Sequence, residues 1–163
     1  MKRLKIGERW IGDGEPCFIV AEAGANHNRD LGMAKELIAV AAEAGADAVK
    51  FQTYSAETLY SKQTPKFTYL EGLTDKSTWD LIKEIELPRE WQAELAEEAR
   101  KRGIIFMSTP FDHRAVDELD ALAVPAFKIA SFEIVDLPLV RHAASKGKPM
   151  IISTGLADYE DIQ

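Results

Sequence analysis

Five short apolar segments, rich in β-branched residues, recur along the chain and predict the strands of a sheet. They are residues 17–22, 48–52, 104–108, 126–131 and 150–154. Apolar and polar positions do not alternate strictly within them, which is typical of strands buried on both faces. The pattern therefore favours a parallel sheet that is covered by helices.

Amphipathic segments lie between the predicted strands and predict helices. The first has an apolar stripe that includes Leu31, Leu37 and Ile38, with Asp30 as its N-cap and Gly45 at its end. Three further helices are predicted within residues 88–102, 112–122 and 138–146, and a fifth begins at residue 158. Each predicted strand is thus followed by a helix.

This alternation predicts an α/β fold whose parallel strands are joined by right-handed crossovers. Residues 4–12 predict a small hairpin ahead of the first strand, and residues 53–78 are a polar loop of a length typical of loops that cover a site. A doubly wound sheet is disfavoured because AEAGANHN lacks the GxGxxG spacing. We therefore expect residues 1–163 to be the N-terminal portion of a TIM (β/α)8 barrel, truncated after about five strands.

Composition and charge narrow the class of partners. The 163 residues are 46% hydrophobic and 29% charged, as in globular domains. The formal net charge of −7 argues against nucleic acid, and no apolar run is long enough to span a membrane or to form a signal peptide. The single cysteine, Cys17, excludes an internal disulfide and is expected in the core. These features predict a cytoplasmic protein.

Side chains suited to binding and catalysis follow or end every predicted strand, where barrel enzymes carry their active sites. In chain order they are Glu22, Lys50, Gln52, Ser108, Thr109, Phe111, Lys128, Ser131, Glu133 and Ser153. A single charged residue after a strand is most often a solvated or ion-paired loop residue. Lys50 and Lys128 differ, because they lie inside apolar strands, as VKF and FKI.

A lysine among core residues must be paired or must bind an anion. We therefore expect Lys50 and Lys128 to point into a barrel lumen or an ordered cleft, with neighbouring hydroxyl groups as the donors that usually accompany a bound phosphate or carboxylate. Ile19, Val49 and Ile129 are expected to be apolar residues of the same lumen.

The chain's own residues predict no metal site. The sequence has no HxxxH, no CxxC and no carboxylate cluster with ligand spacing. His27 is expected to form hydrogen bonds within a loop, and His113 and His142 are expected on helix surfaces.

The strand-end segments resemble, in order and spacing, the barrel domain of the sialic acid (nonulosonic acid) synthase family. The matching segments are FIVAEAGANHN, DAVKFQTY, FMSTPFD, FKIASFE and KPMIISTG. The resemblance covers nearly the whole chain from about residue 5. Within the family, IASFEIVDLPLV and WDLIKEI are closer to the pseudaminic acid synthases.

The resemblance implies a transferase of carbohydrate biosynthesis. Phosphoenolpyruvate (PEP) would condense with the aldehyde of an N-acetylated amino sugar to give a nine-carbon α-keto acid and phosphate. It implies that PEP is bound by Lys50, Thr109, Lys128, Ser131 and Ser153, and that the sugar is bound by Glu22, Gln52 and Phe111. Glu133 would join Lys50 and Lys128 as a catalytic residue, orienting the attacking water or relaying its proton.

The same resemblance implies parts that this chain does not contain. A divalent metal, Mn²⁺ or Mg²⁺, would polarise the aldehyde, and its two histidine ligands are expected on later strands beyond residue 163. A C-terminal antifreeze-like domain and a homodimer are also implied. The chain is therefore expected to be part of a longer enzyme and inactive alone.

The residues alone are also compatible with two other functions. Lys128 lies in mid-strand, as the lysines of Schiff-base aldolases do. A half-barrel that binds a sugar or an anion without catalysis is the other alternative.

Overall fold

The structure, a computed structural model, describes residues 3–68, 72 and 74–163. It begins with the predicted hairpin, in which β1 (Leu4–Ile6) pairs antiparallel with β2 (Arg9–Ile11). Gly7 adopts a positive φ of 58° in the turn, a conformation that glycine tolerates well. The prediction of an N-terminal hairpin is confirmed.

Five parallel strands follow the hairpin. They are β3 (Val20–Gly24), β4 (Ala48–Thr53), β5 (Ile105–Pro110), β6 (Phe127–Ile129) and β7 (Met150–Ile152). Hydrogen bonds join β3, β4 and β5 in that order, and β6 pairs with β7. The predicted α/β fold with parallel βα units, part of a (β/α)8 barrel, is confirmed.

Helices connect successive strands. They are α1 (Leu31–Glu43), α2 (Ala56–Leu59), α3 (Thr78–Ile85), α4 (Gln92–Lys101), α5 (His113–Ala121), α6 (Leu137–Ser145) and α7 (Tyr159–Ile162). The predicted caps are formed: Asp30 accepts from the Met33 N–H at 2.9 Å and Asp112 from the Ala115 N–H at 2.7 Å. Short 3-10 turns cover Arg89–Trp91 and Glu133–Val135.

Residues 53–78 were expected to form a loop, and this expectation was incomplete. The segment contains the short helix α2, and α3 begins at its end. Ser77 caps α3 by accepting from the Asp80 N–H at 3.1 Å, a start signal that lies inside the polar stretch. Residues 69–71 and 73 of this segment lie outside the described residues.

Two apolar cores lie on opposite faces of the strands. On the face toward the helices, Phe51 and Phe127 pack with helix residues such as Ile38 and Leu119. On the opposite face, which we call the lumen face, a smaller cluster closes the amino ends of the strands, and we call it the lumen base. The lumen base consists of Ile6, Ala48, Met107 and Ala126, with Ile6 supplied by the hairpin.

The expectation that Val49 and Ile129 face the lumen is wrong. Both are fully buried in the core on the helix face. Successive side chains of a strand point to opposite faces, so Val49 cannot share a face with its neighbour Lys50, nor Ile129 with Lys128. Ile19 lies before β3 and is 55% exposed.

Cys17 is exposed, so its predicted place in the core is also wrong. The first parallel strand begins at Val20 rather than at residue 17, which leaves Cys17 outside the sheet. Within the described part of the chain, no helix has the length and apolar character needed to cross a membrane.

Candidate active site

Lys50 lies on the lumen face of β4, with only 9% of the residue exposed. Its ammonium group forms an ion pair with the Glu22 carboxylate of β3 and donates to Oγ1 of Thr109 on β5 at 3.3 Å. The strand register explains both contacts of Lys50. Glu22 is directly opposite Lys50, and Thr109 is opposite Gln52, the next residue on the same face of β4. The paired carboxylate compensates for much of the cost of burying the ammonium group.

Lys128 lies on the lumen face of β6, next to the end of β7. Its ammonium group donates to Oγ of Ser153 at 2.6 Å and to the Ile129 carbonyl oxygen at 2.7 Å. Burial lowers the pKa of Lys128, and the positive charge of Lys50 lowers it further. Neutral oxygen atoms therefore satisfy its hydrogen bonds without neutralising its charge.

The two lysines share one electrostatic environment. Lys50 disfavours the charged form of Lys128, whereas Glu22 and Glu133 favour it. A bound anion would relieve the repulsion between two like charges held at one end of the same barrel. The arrangement is therefore suited to an anionic ligand, as the strand pattern predicts.

Glu133 enters the site from the 3-10 turn that follows β6. Its Oε2 atom is buried and has no hydrogen-bond partner among the described residues. Burial raises the pKa of this carboxyl group, and the nearby Asp136 raises it further, although the group's backbone hydrogen bond and Lys128 act in the opposite direction. A carboxyl group with a raised pKa can exchange protons closer to neutral pH than an ordinary glutamate.

Two glycines lie against side chains of the site, Gly24 beside Glu22 and Gly155 beside Ser131. Gly24 has a φ of +54°, and a Cβ atom there would lie 3.3 Å from Oε1 of Glu22 and 4.0 Å from Nε2 of Gln52. A Cβ atom at Gly155 would lie 3.4 Å from Oγ of Ser131. Glu22 and Gln52 thus flank one glycine, and Ser131 lies beside the other.

Sequence reasoning missed both glycines as parts of the site. The signal that could identify them is their position, because each lies two residues after a candidate residue at a strand end, Gly24 after Glu22 and Gly155 after Ser153. A residue with a side chain at Gly24 would be strained by the positive φ and would crowd Glu22.

Phe111 and Ser108 make their contacts outside the lysine cluster. The Phe111 ring packs edge to face on Tyr54, with ring centroids 5.6 Å apart, just beyond the end of β5. Ser108 was expected among the hydroxyl donors, but its Oγ atom pairs at 2.8 Å with Oγ1 of Thr53 on the helix face. Its neighbour Thr109 has the opposite orientation and lies on the lumen face.

The histidines do not form a metal site. His27 is buried, and its Nδ1 accepts from the Arg29 N–H at 2.9 Å, which fits the predicted loop role. Burial lowers the pKa of His27. His113 and His142 lie on neighbouring helices with ring centroids 4.9 Å apart. In the part of the chain that the structure describes, no three His, Cys, Asp or Glu side chains are grouped so as to hold a metal ion.

A cleft of about 580 Å³ lies outside this cluster, lined by Arg29, Tyr54, Glu86, Arg89 and Asp112 among others. Its arginines are already paired with carboxylates. Arg89 donates to Asp112 at 2.5 Å, and Arg29 lies 3.7 Å from Glu86. The lysine cluster is the stronger candidate site because its positive charges are not fully compensated.

The fold and the strand-end cluster together define part of a (β/α)8 barrel that carries ammonium, carboxylate and hydroxyl groups at the carboxyl ends of its strands. The NeuB family profile matches residues 37–163, which is most of the chain. The chain therefore belongs to the NeuB family.

Two relatives of the chain are named as synthases of sugar acids. It is 46% identical over 154 residues to the N,N'-diacetyllegionaminic acid synthase of Legionella pneumophila, covering 93% of this chain and 43% of the relative. It is 47% identical over 152 residues to the pseudaminic acid synthase of Helicobacter pylori, covering 91% of this chain and 44% of the relative. These identities are too similar to favour one of the two enzyme types. The chain spans less than half the length of these curated relatives.

A solved structure shares the fold closely. The crystal structure of N-acetylneuraminic acid synthetase from Leptospira borgpetersenii serovar Hardjo-bovis, in complex with citrate, aligns with a TM-score of 0.87 and 34% sequence identity. The alignment covers 99% of this chain and 52% of that chain.

Proposed function

We propose that this chain supplies the PEP-binding and sugar-binding residues of a nonulosonic acid synthase. In that reaction PEP condenses with the open-chain aldehyde of an N-acetylated amino sugar. The observation that carries the proposal is the pair of lumen lysines, Lys50 on β4 and Lys128 on β6, each in contact with a hydroxyl group at the carboxyl ends of the strands.

PEP carries a phosphate and a carboxylate, so its site needs several preorganised donors. Lys128 and Ser153 are already in contact at 2.6 Å, and Lys50 and Thr109 at 3.3 Å. With Ser131 beside Gly155, these groups form a set of ammonium and hydroxyl donors suited to both anionic groups. Donors that are fixed before the ligand binds cost little to reorganise during the reaction.

The sugar is assigned to the opposite part of the cluster. Glu22 and Gln52 flank Gly24, and carboxylate and amide groups can accept from and donate to sugar hydroxyls. Phe111 would supply an apolar wall beside the sugar chain. Glu22 also pairs with Lys50, which would connect the sugar end of the site to the PEP end.

The proposed reaction forms one carbon–carbon bond and releases phosphate. Carbon 3 of PEP attacks the aldehyde carbon, and the aldehyde oxygen gains a proton. Water then adds to carbon 2 and loses one proton, which leaves a hydroxyl group there. The bond between carbon 2 and the phosphate ester oxygen breaks, and the hydroxyl group gives its remaining proton to the departing phosphate, so that an α-keto acid and inorganic phosphate are formed. Glu133 would orient this water or accept its proton, a task that its raised pKa suits.

A divalent metal, Mn²⁺ or Mg²⁺, would polarise the aldehyde when bound. The described residues provide no group of three ligands for it, so we assign no metal contact to this chain. We propose that the ligands come from outside residues 1–163, as part of a longer, homodimeric and cytoplasmic enzyme. This chain alone is then expected to bind PEP without turning it over.

The test fuses this chain to the part of the Legionella relative that it does not match. Phosphate release from PEP is measured with a panel of N-acetylated aminohexoses, and the relative's own full chain serves as the positive control. We expect phosphate and α-keto acid in equal amounts from the fusion. Sugar or PEP binding by a folded fusion that releases no phosphate would favour a binding half-barrel instead.

One observation favours a second candidate, a Schiff-base aldolase. The pKa of Lys128 is lowered by burial and by Lys50, and a lysine with a lowered pKa is a better amine nucleophile. Borohydride reduction in the presence of pyruvate would trap an adduct on Lys128 in that case. A PEP-dependent synthase should give no adduct.

A further inference from the structure

Glu86 is a buried carboxylate that connects two loops at the carboxyl ends of the strands. It follows α3, and its side chain is 9% exposed. One oxygen accepts from the Ala56 N–H at 3.0 Å, at the start of α2. The other lies 2.8 Å from the Lys83 ammonium group and 3.7 Å from the Arg29 guanidinium group.

Through these contacts Glu86 binds the segment that follows β3 and the segment that follows β4. Arg29 belongs to the loop between β3 and α1, and its guanidinium group also donates to the Lys83 carbonyl oxygen at 2.9 Å. Ala56 lies four residues after Gln52. Glu86 therefore links the loop that follows Glu22 and Gly24 to the loop that follows Gln52.

The strand ladder fixes Gln52, which pairs regularly with Thr109 of β5, but it fixes the end of β3 less well. Pairing between β3 and β4 is regular from Val20 to Glu22, but the register shifts between Glu22 and Gly24. An irregularity of this kind changes the direction of nearby side chains and interrupts the backbone hydrogen bonds that set their spacing. The Glu86 bridge therefore adds a connection between the segments after β3 and β4, beyond the point where their pairing becomes irregular.

Tyr54 provides a second link at the same point. Its hydroxyl group donates to the Ile85 carbonyl oxygen at 3.3 Å, next to Glu86 in the chain. Burial and the charge of Glu86 raise the pKa of Tyr54 to about 12, so the hydroxyl stays protonated and can donate. The end of α3 is thus attached to the segment after β4 at two positions.

We propose that Glu86 is a positioning residue, which sets the relative placement of Glu22 and Gln52 at the sugar end of the candidate site. The assignment of that end to a sugar rests on the proposed function. Glu86 touches neither Glu22 nor Gln52 and acts through the loops that carry Arg29 and Ala56.

Asp47 offers a matched control at the amino ends of the strands. Its side chain is 10% exposed, and it accepts from the Ile19 N–H at 2.7 Å while pairing with Arg9. Each carboxylate therefore joins one backbone N–H to one arginine that is 42% exposed, and Glu86 has Lys83 as an additional partner. Substituting Asp47 removes the same kind of contact far from the candidate site.

The experiment compares Glu86→Gln and Glu86→Ala with Asp47→Asn and Asp47→Ala in the 163-residue chain. The first readout needs no ligand: the NMR signals of the Gln52 side-chain amide and of the Glu22 carboxyl carbon. We expect both signals to shift in the Glu86 variants and to stay in place in folded Asp47 variants. Glutamine can still accept from the Ala56 N–H, so Glu86→Gln should give the smaller shift.

The second readout is binding of N-acetylmannosamine and of PEP. Loss of one positioned hydrogen bond to the sugar should weaken its binding about tenfold in Glu86→Ala, with PEP affinity changed less than about twofold. Unmoved Gln52 and Glu22 signals in both Glu86 variants, or equal shifts in the Asp47 variants, would overturn the positioning role. A wild-type chain that binds neither ligand would instead contradict the proposed function, and the ligand-free signals would still decide the role of Glu86.

Discussion

The two ends of the same parallel strands have opposite chemistry. At the amino ends, the lumen base is apolar and is closed by Ile6 of the hairpin. At the carboxyl ends, the same face carries ammonium, carboxylate and hydroxyl groups. Ala48 lies two residues before Lys50 on β4, and Ala126, directly before β6, lies two residues before Lys128, so each pair shares the lumen face.

This contrast shows how a strand can combine stability with binding. The alternation of faces is identical at both ends, and only the residue types change along the strand. Barrel enzymes separate the two roles in this way, with stability at the amino ends and chemistry at the carboxyl ends. Substitutions at one end should therefore change folding, and those at the other should change ligand binding.

The largest effect is expected from Ile6→Ala at the lumen base. Ile6 is 1% exposed and packs against Met107, so the substitution leaves a cavity and should lower the unfolding free energy by about 3 kcal/mol. Urea unfolding measures this loss. The PEP affinity of the folded fraction should stay unchanged. A fall in affinity as well as in stability would contradict the assignment of stability to the amino ends and of binding to the carboxyl ends.

Lys128→Met should weaken PEP binding by about 10- to 100-fold, because a charged hydrogen bond contributes about 1.5–3 kcal/mol. Stability should hold or rise, since the lysine is desolvated and methionine fills similar space. The matched control is Lys146→Met, ahead of β7 at its amino end, where the ammonium group pairs with Asp117 at 2.6 Å. Titration calorimetry measures the PEP affinity of both variants, and we expect a loss in Lys128→Met only. Equal losses in both variants would indicate general electrostatic attraction rather than a site.

Gly24→Ala and Gly45→Ala compare two glycines with positive φ, at the carboxyl end of β3 and before the amino end of β4. Both should cost about 1 kcal/mol of stability, because φ is +54° and +78° respectively. Only the Cβ atom at position 24 meets a neighbour, Oε1 of Glu22 at 3.3 Å. Sugar affinity should therefore fall in Gly24→Ala alone, as measured by titration. A similar fall in Gly45→Ala would attribute the effect to backbone strain.

Glu133→Gln should have the smallest effect on stability. The folded protein holds the Glu133 proton to a higher pH than the unfolded chain does, because burial raises its pKa above the ordinary 4.5. The unfolding free energy of the wild type therefore falls as the pH rises from the unfolded-state pKa to the folded-state pKa of Glu133. The glutamine variant has no carboxyl group at this position, so its unfolding free energy does not fall for this reason.

We expect Glu133→Gln to be about 0.5 kcal/mol more stable than wild type at neutral pH, a small value because solvent screens a half-exposed group. The difference should vanish below pH 4.5, where both states are protonated. Urea unfolding across pH measures it. In the fusion with the Legionella relative, the same variant should suppress phosphate release while PEP binding persists, and unimpaired release would remove Glu133 from the reaction.

The parallel strands and most helices could be predicted from sequence because local signals specify them. Continuous apolar runs mark buried strands, and Asp30 and Asp112 mark helix starts that the structure confirms. Helix α3 was missed because its capping residue, Ser77, lies in a polar stretch that has the composition of a loop.

The face on which a side chain lies was harder to predict. Lys50 and Lys128 were placed on the lumen face correctly, but Val49 and Ile129 were assigned to it as well, although a period of two forbids adjacent residues from sharing a face. Ser108 was misplaced for the same reason. The Glu86 bridge could not be predicted, since it joins residues that are 30 and 57 positions apart and depends on tertiary packing.

The most direct test of the account is the footprint of PEP on the ¹⁵N-labelled chain by NMR. The account predicts that PEP moves the signals of Lys50, Thr109, Lys128, Ser131 and Ser153 and leaves those of the lumen base unchanged. Shifts centred on Ile6 and Met107, or on the cleft beside Arg89, would contradict an anion site at the carboxyl ends of the strands.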